Sequence, residues 1–262
     1  RGRCDFEGST GMSEMDRGAF VRPIAHRGLH DAHRGIVENT ASAFAAAIAK
    51  GYGIECDLRP AADGLPIVFH DETLNRLVLG KGPVAALKAS DLNTLRYRSA
   101  NEGIITFAEL LELVDGDAPL LVEIKSEWNP PDHRFLGKIA TIAQRYKGPL
   151  ALMSFDPGVM AVMRELAPRL PRGIVSGSYR GAGWWRRRVS AAKAAALRDL
   201  LFSAPAAPQF YAYEVNALPT SVTRYLREVD RLPLFTWTVR TPKQRALAAK
   251  WADAPIFEGF EP

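Results

Sequence analysis

Glu55 and Asp57 sit two residues apart in an apolar run, and His70 follows on a second apolar run. In an extended chain, side chains two apart share a face. Glu55 and Asp57 then point one way, and Ile54, Cys56 and Leu58 the other. On the second run Val68 and His70 share a face opposite Ile67 and Phe69. Paired like charges repel unless a cation or strong donors intervene, and burying them is costly for a core. The pattern makes sense as a site that holds a cation. Two further runs add to it. Val21 to His26 ends in His26-Arg27-Gly28, and Leu120 to Lys125 places Leu121, Glu123 and Lys125 on one face.

These residue types define a chemistry. The carboxylates of Glu55, Asp57 and Glu123 suit a hard divalent cation, Mg²⁺ or Ca²⁺, bound through oxygen. Histidine has an unperturbed pKa near neutrality, so His26 and His70 suit proton transfer. Arg27 and Lys125 supply fixed positive charge for a phosphate. The combination points to metal-assisted attack at a phosphodiester. Each residue alone has an ordinary alternative: a hydrogen-bonded structural histidine, a Glu123–Lys125 ion pair, Asp71 as a turn residue. Their convergence on strand ends carries the argument.

The elements that must position them alternate. Strands are expected at Val21–His26, around Glu55, around His70, and over Leu120–Lys125, Pro149–Phe155, Arg172–Ser176, Phe210–Val215, Leu234–Val239 and Ile256-Phe257. Helices are expected from Ala41 to Lys50 behind an Asn39 or Thr40 cap, and over His133–Arg145, Pro157–Leu166, Ser221–Glu228 and Pro242–Trp251. Leu74–Leu79, Ser90–Leu95 and Thr106–Val114 also have helical apolar spacing, and Thr106 with Glu109 forms a capping box. Alternation of this kind implies a parallel sheet with helices outside, and the strand count favours a (β/α)₈ TIM barrel. The few residues between the Glu55 and His70 strands are too few for a parallel crossover. That pair is a hairpin, or the barrel is locally distorted there.

The totals are those of an ordinary soluble globular protein. The 262 residues are 47% hydrophobic and 24% charged, with a net charge of +5. Two cysteines, Cys4 and Cys56, give no disulfide framework or zinc spacing, and Cys56 is expected inside. No apolar run is long enough to cross a membrane, and no secretory signal is visible, so a cytoplasmic location is expected. Residues 1–20 read as a disordered leader or a cloning remnant, and 21–262 as one barrel domain. Trp184 to Arg188 reads as a solvated basic helix start with two packed tryptophans; the rival reading is a lid or a peripheral membrane contact.

The residues together resemble the glycerophosphodiester phosphodiesterases. The likeness runs through His26-Arg27-Gly28, Glu38-Asn39-Thr40 with Ala43-Phe44, Glu55-x-Asp57, Asp63-Gly64, His70-Asp71 with Leu74 and Arg76, Glu123-Ile124-Lys125, Ser154-Phe155 and Trp237-Thr238-Val239. It implies a distorted TIM barrel of the phospholipase C-like phosphodiesterase type. It also implies hydrolysis of glycerophosphodiesters to glycerol 3-phosphate and an alcohol with Mg²⁺ or Ca²⁺. By position, Glu55, Asp57 and Glu123 would be the metal ligands, His26 and His70 the acid/base pair, Arg27 and Lys125 the phosphate clamp, and Trp237 a pocket wall. His26 fits better than His33, which sits in a loop shortly before Glu38. The sequence departs from the pattern at Arg240, at Glu258-Gly259 and in a short insertion after His70-Asp71, where head-group preference would be set. The expected partner is a small glycerophosphodiester. Nucleic acid is not expected, because acidic residues at the mouth would repel a polyanion. Rival functions are a lysophospholipase D-like lipid phosphodiesterase and a non-catalytic phosphate-binding barrel.

Overall fold

The computed structural model describes residues 15–181 and 183–262. Residues 1–14 of the expected leader lie outside that set. Residues 15–20 of that stretch are described. Arg17–Phe20 forms a short helix, α1, capped by the Asp16 side chain through the Ala19 N–H. The cause is packing: Met15 and Phe20 join Ile24, Leu121, Ala151, Phe210 and Phe235 in the apolar filling of a barrel. Arg17 ties α1 to the Arg231 carbonyl and to Asp253, in the segments that lead into the last two strands. This helix therefore stoppers the N-terminal end of the barrel.

The strands are β1 (Ile24–His26), β2 (Gly53–Pro60), β3 (Pro66–Val68), β4 (Leu120–Ile124), β5 (Leu150–Ser154), β6 (Arg172–Ser176), β7 (Phe210–Glu214), β8 (Leu234–Val239) and β9 (Ala254–Phe257). Their order is β1-β9-β8-β7-β6-β5-β4-β2, and β1 also pairs with β2, so the cylinder closes. All of these pairings are parallel, which is the expected (β/α)₈ TIM barrel. Around it run α2 (Ala41–Ala49), α3 (Ala89–Thr94), α4 (Phe107–Val114), α5 (His133–Ala143), α6 (Pro157–Leu166), α7 (Ala191–Arg198), α8 (Ser221–Glu228) and α9 (Pro242–Trp251).

Two-residue alternation sorts the strands. Ile54, Cys56 and Leu58 on β2, with Leu120, Val122 and Ile124 on β4, belong to the core between strands and helices. The intervening Leu121, Met153, Val175 and Ala212 fill the barrel. Glu55, Asp57 and Glu123 share that inner face, with Asp57 opposite Glu123 in the β2–β4 register. Gly173 on β6 is required inside: a Cβ there would lie 2.2 Å from the Phe210 ring.

The irregularity lies in β3, which pairs antiparallel with the far end of β2 through Leu58↔Val68 and Arg59↔Ile67. Of the two alternatives left by the short connection, the hairpin is the one formed. β2 thus closes the barrel with its first half and carries a hairpin with its second. The insertion that follows has its own small core, including Ile67, Phe69, Leu74, Val78, Leu92 and Tyr97. The helix expected over Leu74–Leu79 is absent. Leu74 and Val78 are buried in turns, and bridges Thr73↔Pro83 and Val78↔Tyr97 fasten that stretch. Their helix-like spacing serves this cluster instead. α4 starts at the expected Thr106–Glu109 capping box. Among the described residues, no helix is long and apolar enough to cross a membrane.

Candidate active site

β2 and β4 bring three carboxylates together beside the end of β1. One oxygen each from Glu55, Asp57 and Glu123 lies within 4.8 Å of the others, and all three residues are buried. Backbone conformation helps to hold them. Arg27 and Asn39 both adopt left-handed φ, +58° and +57°, which non-glycine residues adopt rarely. The first turns the Arg27 N–H onto Glu55 Oε2 at 3.0 Å. The second accompanies an Asn39 side chain that donates to Asp57 Oδ2 at 2.8 Å. Next to this turn, Gly28 (φ +80°) packs so closely that a Cβ would lie 2.8 Å from the Ala43 Cβ, so α2 fits against the end of β1 only with glycine there.

Cations brace the cluster. Lys125 Nζ is 2.8 Å from Asp57 Oδ1 and 2.6 Å from Glu123 Oε1, and Arg27 Nε is 3.4 Å from Asp57 Oδ2. They do not neutralise it evenly. Burial, then the charges of Asp57 and Glu123, push the Glu55 carboxyl well above its ordinary range. Burial would also raise Asp57, but Lys125, His70 and Arg27 outweigh it and hold that carboxyl well below. Three buried carboxylates, one of them poorly compensated, form an all-oxygen donor set that suits a hard divalent cation. The residues present fit the expected Mg²⁺ or Ca²⁺.

Each histidine is held by a carboxylate. His26 Nδ1 is 2.7 Å from Glu258 Oε2, and His70 Nδ1 is 2.8 Å from Asp71 Oδ1. An ionised carboxylate only accepts, so Nδ1 carries the proton in both pairs and Nε2 is the exchangeable position. His26 Nε2 lies 3.9 Å from Glu55 Oε2. Burial above all lowers the His26 pKa, against the hydrogen bond to Glu258, and so favours the neutral ring. A chain of ion pairs then links the two sides. Arg27 donates to Glu38 (2.6 Å), Arg76 donates to Glu38 (2.7 Å), and Arg76 Nε donates to Asp71 (2.6 Å).

These groups open into a cavity of about 400 Å³ lined by His26, Arg27, Glu55, His70, Glu123, Lys125 and Trp237. Of the residues singled out from sequence, only Asp57 is absent from its wall, standing behind Lys125 and Asn39. Trp237 sets its ring edge against Phe155 at 5.2 Å and donates from Nε1 to the Ala212 carbonyl at 3.3 Å. His33 is exposed in a short turn away from this wall. The Trp184 to Arg188 stretch is more than a solvated helix start. Arg188 lines the cavity and pairs with Glu127 and Glu72, while Trp185 packs against Tyr179. Sequence reasoning took Glu258 for a departure from the family pattern bearing on head-group preference, and it read Asp71 as a turn residue and Asn39 as a cap. The adjacency of Asp71 to His70 was a usable signal; Glu258 gave none, since it meets His26 from 232 residues away.

The comparisons agree with this geometry. The model of the glycerophosphoryl diester phosphodiesterase family matches residues 26–258. A glycerophosphodiester phosphodiesterase of Caldanaerobacter subterraneus subsp. tengcongensis is 37% identical over 162 residues, 58% of this chain and 65% of that relative. The chain spans less than two thirds of the length of the first curated relatives it matches. Two solved structures share the fold. One is an Oleispira antarctica phosphodiesterase in complex with the product sn-glycerol-3-phosphate (TM-score 0.70, 19% identity, 90% of this chain and 92% of that one). The other is a glycerophosphodiester phosphodiesterase of Thermotoga maritima (TM-score 0.67, 22% identity, 91% and 94%). With the family model matched across nearly the whole barrel, the chain belongs to the glycerophosphoryl diester phosphodiesterase family.

Proposed function

We propose that the chain hydrolyses glycerophosphodiesters to glycerol 3-phosphate and an alcohol. The observation that carries this reading is a buried three-carboxylate cluster flanked by two carboxylate-held histidines in one cavity. Glu55, Asp57 and Glu123 would hold Mg²⁺ or Ca²⁺, which supplies positive charge against the negative charge that builds on the phosphoryl oxygens. Arg27 and Lys125 add fixed charge on the same side. Both stay protonated: burial would lower them, but Asp57, Glu38 and Glu55 around Arg27, and Asp57 and Glu123 around Lys125, together outweigh it. His26 and His70 act as the acid/base pair. One Nε2 takes the proton from the attacking oxygen, that of water or of a substrate hydroxyl whose cyclic phosphate water then opens, while the other ring delivers a proton to the leaving alkoxide. Glu258 and Asp71 fix the tautomers that make this exchange work. Trp237 and Phe155 form the wall against which the alcohol part lies and from which they exclude water.

The test is direct. Glycerophosphocholine is incubated with the protein and Mg²⁺ or Ca²⁺, with and without EDTA, and glycerol 3-phosphate is measured. Release that requires the cation and is lost in Glu55→Ala supports the reading. Release that survives EDTA, or that persists in His26→Ala, overturns it.

A further inference from the structure

The two histidines are mounted differently. His26 is the last residue of β1, so the strand itself places its backbone. His70 has no strand under it. β3 ends at Val68, the Phe69 N–H still donates to the Asp57 carbonyl at 2.9 Å, and His70 and Asp71 follow outside any strand or helix. Asp71 steadies the His70 ring through Nδ1, but a ring moves with the peptide that carries it. That peptide is held by a side chain.

The side chain is Arg59, which continues the inner face of β2 two residues beyond Asp57. Its Nε donates to the His70 carbonyl at 2.6 Å, and its Nη1 donates to Glu127 Oε1 at 2.7 Å. A guanidinium is planar, so bonds from two of its nitrogens fix its plane as well as its place. The Arg59 side chain is only 12% exposed, which limits competition from water for both bonds. Glu127, in the β4–α5 loop, also takes Arg188 from the loop after β6. Burial would raise the Glu127 carboxyl, but Arg59 and Arg188 outweigh it and hold it below its ordinary range. Glu127 therefore stays ionised and anchors Arg59 from behind.

We propose that Arg59 is a positioning residue for His70, and that Glu127 holds Arg59 in the orientation this requires. The inference rests on the reading of His70 as half of the acid/base pair and adds the group that aims it. Proton transfer demands hydrogen-bond reach, and a misplacement of about 1 Å costs about 10²-fold. Releasing the His70 carbonyl frees the peptide between Phe69 and Asp71, and Nε2 moves with it. Arg59 acts through His70 without touching the substrate.

Kinetics of the full chain with glycerophosphocholine and Mg²⁺ test this. Arg59→Met should lower kcat about 10²-fold with KM nearly constant. Arg59→Lys, which keeps a charged donor, should lose less. Glu127→Ala, at a side chain 43% exposed, should lower kcat by a smaller factor, independently of how Arg59→Met folds. In the double variant the loss should match that of Arg59→Met alone, because Glu127 acts through Arg59. Proton NMR supplies a readout free of turnover. The His70 Nδ1–H resonance, assigned by its absence in His70→Gln, should exchange faster with water in Arg59→Met while that of His26 is unchanged. A raised KM with kcat kept would place Arg59 on the substrate and overturn the proposal, as would additive losses or an unaltered His70 resonance. A chain that cleaves no glycerophosphocholine yet shows the Arg59-sensitive His70 resonance supports the positioning and overturns only the catalytic reading.

Discussion

Between β1 and β4 the inner strand ends carry His26, Glu55, Asp57 and Glu123, with Lys125 just beyond; between β5 and β8 the matching places carry Met153, Phe155, Val175 and Trp237. The first side is held by charge. Each group there has a partner of opposite sign or a donor within hydrogen-bond reach, and the pairs run on from Asp57 through Arg27, Glu38 and Arg76 to Asp71 and His70. The second side is held by packing, as in the edge-on contact of Phe155 with Trp237. Two charged groups stand there as well: Glu214 at the end of β7, spent on the Ser178 N–H and hydroxyl away from the cavity wall, and Arg240 just beyond β8, paired with Glu258. The contrast separates two tasks. Charge development at phosphorus belongs to one half of the mouth, and shape and dryness around the ester group belong to the other.

The largest effects should therefore fall on the charged side. His26→Ala or His70→Ala should lower kcat by about 10²- to 10⁴-fold, read from glycerol 3-phosphate release, with circular dichroism unchanged. The carboxylates behind the rings come next. Glu258→Gln or Asp71→Asn should cost about 10- to 100-fold in kcat, with KM nearly constant, because the ring loses its orientation and not its chemistry. On the packed side, Trp237→Ala should raise KM about tenfold and change kcat less, the pattern of lost uniform binding. An equal kcat loss in Trp237→Ala and His26→Ala would break the division between the halves.

The smallest effect concerns acid stability. Burial alone would raise Glu258, but His26 and Arg240 outweigh it and lower its pKa from 4.5 to about 2 in the folded protein. A depressed carboxyl stabilises the fold above its unfolded pKa, and that contribution is lost as pH falls toward the folded value. Thermal midpoints followed from pH 5 to about 2 should fall less steeply in Glu258→Gln than in the unsubstituted chain. Parallel curves would show that the pair adds nothing to the fold.

Much of this was legible in the chain. The barrel follows from alternating strands and helices, and the inner placement of Glu55, Asp57 and Glu123 follows from two-residue periodicity. The short link from β2 to β3 already forced a choice between a hairpin and a distortion. What escaped was tertiary. Glu258 looked like a departure from pattern because its purpose exists only once the last strand lies beside the first. Arg188 looked like part of a basic surface run because its partners, Glu72 and Glu127, come from two other loops. Leu74 and Val78 misled for the opposite reason: a local rhythm was real, but a small remote core used it.

The stopper made by Met15 and Phe20 finishes a solid interior. Side chains fill the barrel from that helix up to the carboxylates, so no channel runs along its axis. The reacting groups stand on a packed floor, and whatever reaches them does so from the mouth.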